Sequence, residues 1–337
     1  MTTSRIKLVN DGDRIVDEML DGWVMANPRI IARNADGHIE RAVPKPKGNV
    51  ALVIGNGTGH EPAMVGLVGQ GLMDLNVPGP IFAAPSAGEI AKGIAAADRG
   101  AGVLLCVSNH EGDVLAAELA IEMIEDGGSG LEVEIAILGE DVGASVSQRH
   151  DRRGGAGLLF VWKMLGAFAE RGHPLAACKA FAMDVASRSS SLSATLTSGS
   201  HPISGAQLAD IPQGHVLVGS GVHGEGSDTR EFRSVDTLVA EMMDVLLADA
   251  GEDIRRVALM VNNAGSLTDM ELAIVSRSAQ LDLERRSISV ERTWFGSYAT
   301  TQESAGFVLA ICALNDDLLA LYDAPAFGSS CFTGGAV

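Results

Sequence analysis

The sequence predicts a two-domain α/β protein, and three observations carry that expectation. Short apolar runs alternate with helix-length amphipathic stretches through the first half, the pattern of strands and crossover helices in a parallel sheet. The chain has 337 residues, enough for roughly two domains of about 150 residues each. A stretch rich in Ser, Thr, Pro and Gly over residues 188–214 lies between the halves, as at a domain border.

Val50 to Ile54 reads as a buried strand running into the glycine-rich Gly55–Gly59, and Pro80 to Ala84 as a second short run. Ser86 caps a helix that carries Ile90 and Ile94 and ends near Gly100. Gly102 to Val107 is the next strand. Asp113 opens a helix to Asp126, and Leu131 to Leu138 follows as a strand. Gly157 to Arg171 and Pro174 to Ser187 read as helices. Beyond the border Val216 to Val218 is apolar. Val235, Leu238, Val239, Met242 and Leu246 then share one helical face behind Ser234 as N-cap. Val257–Val261, Ser287–Phe295 and Gly306–Ala313 read as strands, with a helix over Met270–Leu281. The expected units are 1–190, with a mainly parallel sheet, and 191–337, a strand-richer, mixed-sheet α+β unit.

Composition narrows the function. The net charge is −18, which repels nucleic acid and anionic membranes, both bound mainly through Lys and Arg. No apolar run reaches the roughly 18 residues that span a bilayer, and Met1–Lys7 is polar and lacks the pattern of a secretory signal. Cys106, Cys178, Cys312 and Cys331 lie far apart without metal-ligand spacing. Reduced thiols of this kind suit a cytoplasmic protein.

Three loops carry the chemistry. The first is Gly55-Asn56-Gly57-Thr58-Gly59-His60-Glu61-Pro62, directly after a buried strand. Its glycines let backbone approach a ligand. A dinucleotide loop is the competing reading, but glycine would be needed where His60 stands, and Asp74 follows Gly66, Gly69 and Gly71 rather than a second strand. No P-loop motif occurs. His60, flanked by glycine, suits a general acid or base that titrates near neutrality. The second loop is Ser108-Asn109-His110-Glu111-Gly112-Asp113, at the same sheet edge. Asp113 reads either as a helix N-cap or as a carboxylate that orients His60. The third is Gly219-Ser220-Gly221-Val222-His223-Gly224-Glu225-Gly226, a second glycine-encased histidine. His60, His223 and Asp113 have no recognised metal-ligand spacing, so no metal site is expected.

Together these loops resemble the ketose-binding part of the dihydroxyacetone kinase family, over nearly the whole chain. Lys7–Asn10, Gly55–Pro62, Pro80–Ser86, Asn109–Asp113, Arg153–Gly157, Gly221–Glu225, Ala305–Phe307 and Leu318–Pro325 occur in the family's order. The resemblance implies two α/β domains with the substrate site between them. It implies that His223 adds to a ketose carbonyl as a hemiaminal, that His60 is the general base and that Asp113 activates it. Backbone around Gly57, Thr58 and Gly59 would hold substrate hydroxyls. Nucleotide and magnesium, ATP or ADP, would sit on a separate all-helical partner subunit, with no cofactor on this chain, and the chain would form a homodimer.

Two departures concern substrate. Family members that use dihydroxyacetone commonly carry lysine where this chain has Ser108, and His110 replaces an aromatic residue. Gly226 also stands in place of a proline. The shorter Ser108 suggests a larger ketose, such as four-carbon erythrulose. The alternative is a non-catalytic ketose sensor of the same family that binds a transcription regulator. A nicotinamide oxidoreductase rests on the glycine loop alone.

Overall fold

The structure, a computed structural model, describes residues 6–143, 149–221, 228–251 and 253–333. The elements run α1 (Ile15–Ala26), β1 (Ile31–Arg33), β2 (Ile39–Arg41), β3 (Ala51–Thr58), β4 (Gly69–Gln70), β5 (Leu75–Ile81), α2 (Ala87–Ala97), β6 (Val103–Ser108), α3 (Glu111–Asp126) and β7 (Val133–Leu138). Then come α4 (Leu158–Glu170), α5 (Leu175–Ser187), β8 (Ser189–Thr197), β9 (His215–Val218), β10 (Asp228–Glu231), α6 (Val235–Ala250), β11 (Arg256–Asn263) and α7 (Asp269–Arg285). The chain finishes with β12 (Ser289–Gly296), β13 (Ala305–Ala313), α8 (Asp316–Tyr322), β14 (Ala326–Gly328) and β15 (Phe332–Thr333).

Two six-stranded sheets form, as the alternating pattern predicts. The first has the order β1-β2-β5-β3-β6-β7. Its β5, β3, β6 and β7 are parallel, with β1 and β2 added antiparallel at one edge. The second, β10-β9-β8-β13-β11-β12, is mixed: only β11 and β12 run parallel. A small antiparallel sheet joins β15, β14 and β4.

Side-chain alternation sorts the layers. Ala51, Val53, Val103 and Leu105 pack with Ile90 and Ile94 of α2 and Ala117 and Ala120 of α3. Leu52, Ile54, Leu104 and Cys106 face the other way, into a cluster with α4 and α5. That same cluster takes in Ala258, Met260, Ala310 and Cys312 of the second sheet. The opposite face of the second sheet, Leu259, Val261, Leu309 and Ile311, packs on α6 and α7. The result is five layers with α4 and α5 in the middle. Ten consecutive residues of α4, Leu158–Ala167, are buried, as befits a helix that is apolar on every side. Its one buried charge, Lys163, donates to the carbonyls of Leu321 (3.2 Å) in the last turn of α8 and of Ala324 (2.8 Å) just beyond it.

Three expectations need correction. The strand expected at Pro80–Ala84 runs instead over Leu75–Ile81. Pro78 and Pro80 are tolerated because β2 pairs only with Leu75 and Asn76, so the proline positions have no neighbour on that side to receive an N–H. The first part of the Ser-rich stretch 188–214 is not irregular: Ser189–Thr197 is β8, a central strand of the second sheet. Its hydroxyls are buried with partners: Ser189 Oγ donates to Val185 O (2.9 Å), Ser190 to Asp249, and Ser191 to Glu140 (2.8 Å), while Ser193 Oγ accepts from Gly221 N (2.9 Å). Finally, the helix expected to open at Asp113 begins at Glu111 behind His110. Asp113 lies inside its first turn and is not its cap.

The close approach of α4 gives a direct test. A Cβ on Gly166 would lie 2.3 Å from the carbonyl oxygen of Gly71, and neither backbone can move independently. Gly166→Ala should cost about 1–3 kcal/mol in chemical denaturation. Gly22→Ala, in exposed α1 with nothing within 4 Å, should instead stabilise by about 0.5–1 kcal/mol.

Candidate active site

The carboxyl ends of β3 and β6 point to one edge of the parallel sheet, the edge at which such sheets bind ligands. A cavity of about 70 Å³ lies there. It is lined by the glycine-rich end of β3 and the residues that follow it, the turn after β5, the end of β6 and start of α3, the approach to α4, and Ala299 from the second half of the chain. A wider hollow of about 960 Å³ shares Phe82, His110 and Asp113 with it and opens outward.

His60 stands at the seam between the two halves. Its Nδ1 lies 2.9 Å from the carbonyl oxygen of Thr300. A carbonyl can only accept, so Nδ1 carries the proton and Nε2 is the basic nitrogen. Three more bonds zip the same two segments together: Thr300 N to His60 O (3.1 Å), Thr300 Oγ1 to Glu61 O (2.7 Å) and Ala63 N to Tyr298 O (2.9 Å). Beneath them Asn262, fully buried at the end of β11, accepts from Tyr298 N (2.8 Å) and Ala299 N (3.0 Å) and donates to Ala299 O (2.7 Å). The Phe82 ring lies against the imidazole with centroids 5.0 Å apart. Phe82 itself takes φ 56°, a left-handed conformation that costs a bulky residue about 1–3 kcal/mol.

Asp113 lines the same cavity. Its Oδ1 is buried with no hydrogen-bond partner, and burial pushes its pKa up to about 7. The hydrogen bond that orients His60 Nδ1 is supplied by the Thr300 carbonyl. Asn56 Oδ1 is a second buried oxygen without a partner on this wall.

The remaining predicted residues divide. Gly57, Ser108 and His110 line the cavity. Ser108 is 5% exposed, and His110 Nε2 donates to Gly154 O (3.0 Å). Thr58 and Gly59 do not reach the cavity. Thr58 Oγ1 donates to Gly79 O (3.1 Å), and Gly59 N donates to the Glu61 carboxylate (3.0 and 3.1 Å). Their glycine neighbours serve packing as well as access: a Cβ on Gly57 would sit 2.8 Å from Ala83 N, and one on Gly59 2.5 Å from the Phe82 ring. His223 lies outside the described residues. The root of its loop is anchored by Gly219 N to Ser193 O (2.8 Å) and by Arg153, whose Nη2 donates to Gly219 O (3.2 Å) and Asp141 (3.1 Å). Among the described residues no group of three or more His, Cys, Asp or Glu could hold a metal, and no helix is long and apolar enough to cross a membrane.

Sequence reasoning missed Asn56, Phe82, Asn262 and Thr300. Asn56 lay within the quoted loop. Thr300 acts through its backbone carbonyl, which no side-chain pattern signals.

A small, mostly apolar cavity with a few polar groups at the carboxyl ends of parallel strands, bordered by a segment from the second half of the chain and holding an oriented histidine, is the arrangement of a small-molecule-binding α/β protein. Comparison with known proteins narrows that class: the chain belongs to the Dak1 family, whose domain matches residues 21–328. It is 32% identical to the dihydroxyacetone-binding subunit DhaK of the PEP-dependent dihydroxyacetone kinase of Escherichia coli (strain K12), over 95% of this chain and 97% of that subunit. It is 34% identical to a D-erythrulose kinase of Mycolicibacterium smegmatis, over 95% of this chain but 55% of that protein. Among solved structures it is similar to the dihydroxyacetone kinase of C. freundii in complex with AMP-PNP and Mg²⁺ (TM-score 0.90, 32% identity, 98% of this chain and 61% of that one). It is also similar to the dihydroxyacetone kinase operon co-activator DhaQ (TM-score 0.87, 27% identity, 96% and 99%).

The orphaned Asp113 has a measurable signature. Its folded pKa of about 7 lies above that of the unfolded chain, so the folded state holds the extra proton between those values and stability falls as pH rises through them. Asp113→Asn should therefore raise the melting temperature of the free protein at pH 8, with the gain vanishing below about pH 4. A melting temperature lowered at every pH would make Asp113 structural.

Proposed function

We propose that this chain is the substrate-binding subunit of a kinase that phosphorylates the terminal hydroxyl of a small ketose. The observation that carries the reading is His60, whose Nδ1–H is committed to the Thr300 carbonyl so that its basic Nε2 serves a cavity sized for a small polyol. In the reaction the unprotonated ring nitrogen of a neutral His223 adds to the ketose carbonyl carbon, the carbonyl π bond opens, and the proton of the other ring nitrogen passes to the carbonyl oxygen. Such capture discriminates ketoses from glycerol, which has no carbonyl. His60 Nε2 then takes the proton of the terminal hydroxyl as that oxygen bonds to phosphorus, while the bond from phosphorus to the donor breaks. Asp113, across the cavity, favours the imidazolium by its charge.

The base and the carboxylate belong to a first unit, 1–190, and the capturing histidine to a second, 191–337. The phosphate comes either from ATP or from a phosphotransferase relay through bound ADP, the nucleotide being held with Mg²⁺ by a separate subunit that docks over the wider hollow. The similarity to the E. coli protein, the dihydroxyacetone-binding subunit of a PEP-dependent kinase, supports that division of labour. Ser108, Ala83, Ala84 and Gly154 leave the wall of small side chains, which favours a ketose larger than dihydroxyacetone. The similarity to the erythrulose kinase points the same way. The likeness to the co-activator DhaQ keeps a sensor as the second reading.

Steady-state phosphorylation of erythrulose and dihydroxyacetone, with a nucleotide-binding subunit and ATP, tests this. His60→Asn should lower kcat about 10²–10⁴-fold while ketose binding persists. Ketose binding without any turnover, in wild type as in the variant, would favour the sensor.

A further inference from the structure

The cavity wall contains two buried oxygens that the free protein leaves unsatisfied, Asn56 Oδ1 and Asp113 Oδ1. Buried polar atoms are almost always paired, and a pair of exceptions on one small cavity marks where a ligand's donors belong. Asp113 has a place in the reaction proposed above; Asn56 has none. Asn56 lies near the end of β3 opposite Pro78, where the ladder to β5 slips before Thr58. Pro78 has no N–H, so this stretch of strand is not bound by a regular ladder. If the carboxamide is turned about, its NH₂ replaces the oxygen in the same buried place, and the need for a partner remains.

We infer that Asn56 is a specificity residue that binds a third hydroxyl of the substrate and thereby selects a ketose of four carbons over dihydroxyacetone. The inference rests on the ketose-kinase reading and deepens it. The reaction assigns one hydroxyl to His60. The two orphaned oxygens call for two more donors. Setting aside the hydroxyl formed at the captured carbon, which the new bond keeps beside the His223 nitrogen, a four-carbon ketose carries three hydroxyls and dihydroxyacetone two, so dihydroxyacetone leaves one buried oxygen unpaired. A site built to bond a hydroxyl discriminates strongly against the analogue that lacks it, because its own polar group is then stranded. The small side chains of Ser108, Ala83 and Ala84 on the same wall leave room for the extra carbon.

The test compares wild type, Asn56→Ala and Asn56→Ser by calorimetric binding of erythrulose and dihydroxyacetone, alongside melting of the free proteins. The expected result is a fall of about 10–100-fold in the erythrulose-to-dihydroxyacetone affinity ratio for Asn56→Ala. Asn56→Ser, which keeps a polar oxygen on the wall, should recover part of it. The free Asn56→Ala protein should melt no lower than wild type, because it loses an unsatisfied group. An unchanged ratio in both variants, or a lower melting temperature with equal loss for both ketoses, overturns the role of Asn56 while leaving the kinase reading intact. Failure of wild type to bind either ketose overturns the kinase reading and this inference with it.

Discussion

Burial of α4 between the two sheets is the constraint on which the rest of the structure depends. A helix with Leu, Phe, Val, Trp and Met on every face has no solvent side, so both sheets must come to it. Each side chain of Leu or Phe size withdrawn from water contributes about 1.5–3 kcal/mol. That sum holds two sheets that share little direct pairing beyond the Glu140–Val142 segment against Ser191. The approach to α4, Gly154-Gly155-Ala156, forms one wall of the cavity, and Glu140 fixes it by accepting from Gly155 N (2.9 Å) and Ser191 Oγ (2.8 Å). The central helix and the active cavity are thus built from the same piece of chain.

The chemistry depends in turn on how the halves meet. His60 follows a strand of the first sheet and its hydrogen-bond partner comes from the second half of the chain, so the tautomer of His60 is defined only in the assembled molecule. Asn262 holds the 298–299 segment at three points, and that segment presents the Thr300 carbonyl. Asp113, unpaired and with its pKa raised, is left responsive to whatever enters the cavity.

Much of this was legible in the sequence, for physical reasons. Strands buried on both faces, such as Val103–Val107, read as continuous apolar runs between glycine turns, and amphipathic α6 shows its face at Val235, Leu238, Val239, Met242 and Leu246. The loop around His60 stood out because a histidine flanked by glycine occupies a position that packing does not require, whereas Asp113 could equally be read as a helix cap. Other parts depend on distant partners. The Ser-rich β8 mimics a linker until Asp249, Glu140 and Gly221 are brought to its hydroxyls. Pro78 and Pro80 disguise β5 because their unpaired side is visible only once β2 is placed. Thr58 and Gly59 fall in the right loop, but local hydrogen bonds turn them away from the cavity.

Fold alone does not assign a reaction, and the most direct test of the account is ketose capture. Native intact-mass measurement after incubation with erythrulose, dihydroxyacetone or glycerol should show a gain equal to the whole ketose for the first two and none for glycerol. The gain should vanish in His223→Ala. No adduct with any ketose, or an adduct that survives in His223→Ala, would contradict covalent capture and remove the chemical basis of the proposed function.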